Sequence, residues 1–308
     1  MTRGEERHLA AAASSALHSV LAGSPRQAHW LGVSPSALYL AVAGGPEVVA
    51  VLSHDAVRLP VGLVLASTRA ELPLTRLAPA AGALSRSPCT VGCRQLRWTG
   101  PAWSVVITAV RQWAPACAAP GQVAPGMIRQ LRALLAGSRI GLDLGLLAAL
   151  RNQAADSAAA SALLGHGPGL TPSGDDVLAG FLFGARTFGL AVPALEAAVA
   201  SLARARTTTL SARLLWHAVR GECAPELATL AAAMQGRGAI QPAARGLLAV
   251  GHSSGAALGL GLLLAAERAA DDQASALAWN CLHPAVGNST HVGRAQAWAE
   301  PPSPRRVA

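Results

Sequence analysis

Pro115-Ala116-Cys117-Ala118-Ala119-Pro120-Gly121-Gln122-Val123-Ala124-Pro125-Gly126 divides this chain of 308 residues into two textures. Prolines remove backbone donors and glycines loosen the chain, so neither a helix nor a strand runs through such a stretch. Before it, segments 37–43, 47–52, 61–66, 91–98 and 103–110 are short and rich in β-branched residues. Gly44-Gly45-Pro46, Pro60, Pro73, Pro88 and Gly100-Pro101 punctuate them. That spacing predicts a small barrel or sandwich. After it, segments 127–136, 142–150, 176–188, 193–205, 211–219, 225–234 and 256–270 are longer and rich in Ala and Leu, which predicts helices. The expected fold is therefore α+β, with a strand-rich N-terminal part followed by a mainly α-helical domain. The boundaries fall at 1–117 for an N-terminal helix plus strands, 118–126 for the linker, 127–271 for the helical domain and 272–308 for a tail ending in Pro301-Pro302-Ser303-Pro304-Arg305-Arg306.

Composition narrows the function. Hydrophobic residues make up 52% and charged residues 13%, enough apolar material for a core. Aromatics are only 4%, so closely packed helices with small side chains are expected. The net charge of +9 comes with no lysine; every cationic side chain other than histidine is arginine. The arginines are scattered and are not interleaved with stacking aromatics, which argues against nucleic acid. A basic field still concentrates small anions. Cys89, Cys93, Cys117, Cys223 and Cys281 show no metal spacing, Cys89 and Cys93 lying one residue too far apart for Cys-x-x-Cys. The N-terminus mixes Arg3 and Arg7 with Glu5 and Glu6 and reads as an amphipathic helix rather than a signal peptide. The longest apolar run, 255–266, is shorter than the about 20 residues that span a bilayer. A cytoplasmic protein bound neither to membrane nor to nucleic acid is expected.

Three candidate helix starts carry the chemistry. In the first, Gly165-His166-Gly167-Pro168-Gly169-Leu170-Thr171-Pro172-Ser173-Gly174-Asp175-Asp176, a glycine-rich loop leads into an apolar helix. Such a loop presents unpaired N–H groups and the positive end of a helix dipole to an anion. It lacks the Lys and the Gly-Lys-Ser/Thr ending of a Walker loop. Asp175 and Asp176 have a plain reading as first-turn acids that stabilise the helix by about 0.3–1 kcal/mol. One acid suffices for that, and adjacent helical residues point about 100° apart, so at most one looks straight into a pocket. The other suits a substrate amide, an arginine or a divalent cation. The second start is Gly251-His252-Ser253-Ser254-Gly255 and the third Thr207-Thr208-Thr209-Leu210-Ser211; taken singly, both read as N-caps. Gly180 with Gly184, and Gly255 with Gly259, lie four apart and give two helices a bare face where backbones meet. Helices crossing there would aim two N-termini at one point, a composite anion pocket with His166 and His252 at its rim.

The stretch 167–176 resembles the signature of AllH-type subunits of oxamate carbamoyltransferase, and residues 207–211 and 251–255 resemble that family's two further motifs in the same order. The likeness covers 165–264 well and thins to 58–65 in the N-terminal half. It departs at Ala256-Ala257, where the family often carries an acid. The resemblance implies a subunit of a multi-subunit enzyme of allantoin (purine) breakdown, interconverting oxalurate plus phosphate with oxamate plus carbamoyl phosphate. On that reading Gly167, Gly169, Thr171, Ser173, Gly174, Thr208, Thr209, Ser253, Ser254 and Gly255 bind phosphate and substrate, and Asp175, Asp176 and His252 serve catalysis. The carboxylate of oxamate calls for a bidentate arginine, and none lies in the three motifs. The expected partners are a small anionic substrate and the other carbamoyltransferase subunits. A non-catalytic anion-binding or scaffolding subunit is the alternative, and a metal-dependent hydrolase using the aspartates and a histidine is a third.

Overall fold

The computed structural model describes residues 5–80, 83–84, 87–99, 103–138, 140–151 and 156–282; Gly100-Pro101 and tail residues 283–308 lie outside them. Eight strands close into a barrel: β1 (Glu5–Ser14), β2 (Arg26–Val33), β3 (Ala37–Val42), β4 (Val48–Leu52), β5 (Gly62–Leu65), β6 (Cys89–Gly92), β7 (Gln95–Thr99) and β8 (Trp103–Trp113). They stand in the order β1-β5-β4-β3-β2-β6-β7-β8, and β8 closes the ring by pairing in parallel with β1. The α+β architecture is the expected one, and of barrel and sandwich it is the barrel that forms. Closure leaves no sheet edge to protect.

Helices follow: α2 (Met127–Leu135), α3 (Leu144–Ala148), α4 (Asp156–Leu163), α5 (Ser173–Phe188), α6 (Pro193–Arg206), α7 (Thr209–Val219), α8 (Pro225–Met234), α9 (Ile240–Leu248) and α10 (Ser254–Leu282), with α1 (His18–Ala22) back in the barrel. Barrel and helices as far as Ala270 form one compact unit. No described helix is long and apolar enough to cross a membrane. Between barrel and helices, β9 (Ala116–Cys117) pairs with β10 (Glu222–Cys223).

Several expectations are corrected. The N-terminal helix is strand β1, whose alanines sit between β5 and β8. Alanine favours helices locally, but here its small side chain packs where the barrel closes: Ala11 and Ala13 are buried. Segment 91–98 is a hairpin, β6 turning into β7 at Cys93-Arg94. Both of those residues adopt positive φ, 50° and 61°, without the Asn-Gly signal that usually marks such a turn. Strand β2 and helices α4 and α9 had no expected counterpart. Helix α10 runs to Leu282, past the expected start of the tail.

The crossing of α5 and α10 is also corrected. A Cβ at Gly180 would meet the Leu258 backbone, and one at Gly261 would lie 2.6 Å from the Phe181 nitrogen. Gly180 therefore faces α10 as expected, and its partner there is Gly261. Gly255 and Gly259 turn instead to Leu247 of α9 and Leu135 of α2. Only hydrogen side chains let the two backbones approach so closely. Helix α10 is further tied to α4 by the buried pair Arg268–Asp156, with N–O contacts of 2.7 and 3.3 Å.

Two cores result, one inside and around the barrel, the other among the helices. Leu210 of α7 belongs to the barrel's core, with Leu170 and Leu214 packed against it. This docking explains why all five residues of β4, Val48-Val49-Ala50-Val51-Leu52, are buried. A strand covered on both faces reads as a continuous apolar run.

Candidate functional site

The three motifs converge. Thr208 caps α7, its Oγ1 accepting from Ser211 N at 3.0 Å, and the same hydroxyl donates to the carbonyl of Leu170 at 2.5 Å. Thr171 and Ser254 meet hydroxyl to hydroxyl at 3.3 Å. The start of α7 and the start of α10 are thus both fastened to the glycine loop.

The two aspartates divide as helical geometry requires. Asp175, 1% exposed, turns inward. Its Oδ1 accepts from Gly165 N at 2.8 Å and its Oδ2 from the Thr207 hydroxyl, with Ser211 a further donor. Burial raises its pKa and these hydrogen bonds oppose the rise. Asp176, 7% exposed, turns the other way. Ser254 bonds its carboxyl, yet Oδ2 is buried with no partner among the described residues. Burial pushes its pKa up to about 7; the Ser254 bond works against the rise and the neighbouring Asp175 charge adds to it.

Asp176 lines a cavity of about 600 Å³ between barrel and helices. The helical side contributes Thr171, Asp176, Glu222, Cys223, Gly251 and Ser254. The barrel side contributes Tyr39, Asp55 and Arg69, and apolar residues including Leu52, Leu210 and Leu258 fill out the walls. A largely apolar hollow of this size with a few convergent polar groups suits a small polar ligand. Glu222 is itself anchored by His217, Nδ1 to Oε2 2.6 Å, which holds its carboxyl below the ordinary value.

Of the expected site residues, the cavity gathers Thr171, Asp176 and Ser254. Asp175, Ser173, Gly174 and Gly255 are buried in packing: a Cβ on Gly174 would run into the carbonyl of Leu163, and one on Gly255 into that of Leu247. Thr208 and Ser253 are half-buried at the helix starts, and Thr209 is exposed. Gly167 and Gly169 lie in the exposed loop, and His166 and His252 are exposed without lining the cavity. The first-turn amides of α5 bond internally, Gly174 N to the His166 carbonyl and those of Asp175 and Asp176 to the Pro172 carbonyl. An anion held by this loop would therefore use the amides between Gly167 and Ser173. Because Asp175 is committed to protein donors, the two carboxylates do not converge on one cation. Among the described residues no three of His, Cys, Asp or Glu cluster as a metal site.

Sequence reasoning missed Asp55, Arg69 and Glu222. The first two sit in loops flanking β5, where polar residues such as Ser53-His54-Asp55 and Ser67-Thr68-Arg69 follow strand ends. Loops at strand ends are where a scaffold carries binding groups, but nothing local says which loop faces a distant helix.

Neither the curated proteins nor the solved structures offer a match to the chain. The motif resemblance does hold: residues 163–266, from the last residue of α4 into α10 and including Thr171, Asp176, Glu222 and Ser254 of the cavity, match the family described as oxamate carbamoyltransferase subunit AllH.

Proposed function

We propose that this chain is the substrate-holding subunit of an oxamate carbamoyltransferase-type enzyme. In that reaction a phosphate oxygen attacks the ureido carbonyl of oxalurate, the C–N bond breaks, and the proton lost by phosphate ends on the nitrogen of oxamate. No covalent nucleophile is needed; positioning and stabilisation of charge on the carbonyl oxygen supply the rate. The observation that carries the reading is that Asp176, a residue lining the cavity, has a buried carboxyl oxygen, Oδ2, without a partner among the described residues. A carboxyl that titrates about pH 7 can both accept a proton and return it, and it can hold an amide N–H in place. Thr171 and Ser254 present hydroxyls beside it. The amides between Gly167 and Ser173 offer phosphate its donors, in keeping with the chain's net positive charge.

The family is described as a subunit, and activity is expected only with the partner subunits present. The test is to assay carbamoyl phosphate formation from oxalurate and phosphate, with the chain alone and then combined with its partners. Asp176→Asn in the full complex should lower kcat by about 10²–10⁴-fold while the complex still assembles. Assembly failing with the rate per assembled complex unchanged would favour the scaffolding alternative. Turnover by the isolated chain would show that the partners are dispensable.

A further inference from the structure

The motifs contain no arginine to read a carboxylate, but the cavity does. We propose that Arg69, from the barrel loop after β5, is the carboxylate-binding residue of this cavity, so that the barrel selects small acids carrying both a carboxylate and an amide. The inference rests on the reading of the cavity as the substrate site. It goes beyond that reading in assigning specificity to the N-terminal half, outside the segment that matches the family.

Three observations carry it. Arg69 is the only arginine among the described residues lining the cavity, and it shares those walls with Asp176, Thr171 and Ser254. Its placement is fixed from behind. Asp55 accepts from the Arg69 backbone N–H at 2.8 Å, and its other oxygen lies 3.3 Å from Nε. Among the described residues this pairing uses only Nε, and the two terminal nitrogens have no protein acceptor. They form a fork of the geometry that binds a carboxylate through two parallel hydrogen bonds. On the helical side, Asp176, which lines the same cavity, carries a buried oxygen that lacks a partner among the described residues. A ligand with a carboxylate at one end and an amide or ureido N–H at the other satisfies both residues. An uncharged diamide satisfies only the Asp176 side.

The other charged groups of the cavity do not compete for the carboxylate. Asp55 is occupied with Arg69, and Glu222 with His217. Both are anionic and would repel a carboxylate placed against them, which leaves the Arg69 end as the favourable one.

The experiment measures binding of oxamate, malonamate and their uncharged counterparts oxamide and malonamide to the full-length chain by calorimetry. Wild type should prefer each acid over its diamide, and Arg69→Gln should cut acid binding by about tenfold while leaving diamide binding unchanged. A hydrogen-bonded charge is often worth more, but this side chain is 66% exposed and partly screened. Arg69→Lys, which keeps the charge and loses the fork, should fall between the two. Melting temperature should not move, because any residue at 69 keeps the backbone bond to Asp55. Raised salt should weaken acid binding in wild type more than in Arg69→Gln. An acid preference that survives Arg69→Gln overturns the proposal and leaves the cavity reading standing. Failure of all four probes to bind wild type overturns the cavity reading, and this proposal with it. Preference for malonamate over oxamate, lost in Arg69→Gln, supports Arg69 while moving the substrate away from oxamate.

Discussion

Asp175 and Asp176 are neighbours in the chain with opposite surroundings, and their stability profiles should separate them. Asp176 holds its proton up to about pH 7 when folded and releases it near its ordinary value of 3.8 when unfolded. Between those limits the folded state binds more protons, so stability is full below about pH 4 and declines as pH rises toward 7. Asp176→Asn mimics the protonated acid and removes that slope. Its melting temperature should match wild type near pH 4 and exceed it above about pH 7. Parallel curves across that range would show that Asp176 ionises normally. Asp175→Ala is expected to do the reverse of stabilising. It strands the donors of Gly165 and Thr207 in a buried site and should cost roughly 2–4 kcal/mol by denaturant unfolding. Ala257 belongs to the same scale. It is fully buried, so an acid at that position would be desolvated, whereas alanine packs.

Among elements, the β6–β7 hairpin turns through Cys93 and Arg94 at positive φ, a conformation that costs most residues about 1 kcal/mol each. Replacing the pair by Asn-Gly should raise stability by about 1 kcal/mol, provided that the bond from the Arg94 guanidinium to the Ala109 carbonyl contributes less than the relieved strain. A fall in melting temperature would mean that this bond outweighs it. The same hairpin shows why 91–98 read as one strand. Strand-forming residues stand on both sides of the turn, Val91 before it and Leu96 and Trp98 after it, and the turn residues are an ordinary cysteine and arginine. The crossing of α5 and α10 was half legible: Gly180 and Gly184 are spaced for it, but the partner glycine is at 261, and spacing alone could not separate the face of Gly255 and Gly259 from that of Gly261.

At the scale of the whole molecule, the cavity exists because α7 docks on the barrel. Leu210→Ala removes a side chain buried in the barrel's core from the helical side. It should cost about 2–4 kcal/mol and weaken ligand binding, although no polar group of the site is altered. Destabilisation with unchanged ligand affinity would show that the cavity walls hold without this contact. The sequence by itself determined the change from strands to helices across 115–126, because breaker density and periodicity are local properties. It likewise singled out the glycine loop with Thr171, Asp176 and Ser254, which the fold gathers around one cavity, because each motif sits at a helix start where hydrogen-bonding groups must be used. Only the tertiary structure decided that β1 is a strand, since an alanine run favours a helix until two barrel neighbours claim it. The roles of the two aspartates were decided in the same way, by which carboxylate found Gly165 and Thr207. So was the entry of Arg69: a side chain from a loop after β5 reaches a cavity built about a hundred residues later only when barrel closure and the docking of Leu210 bring the two surfaces together.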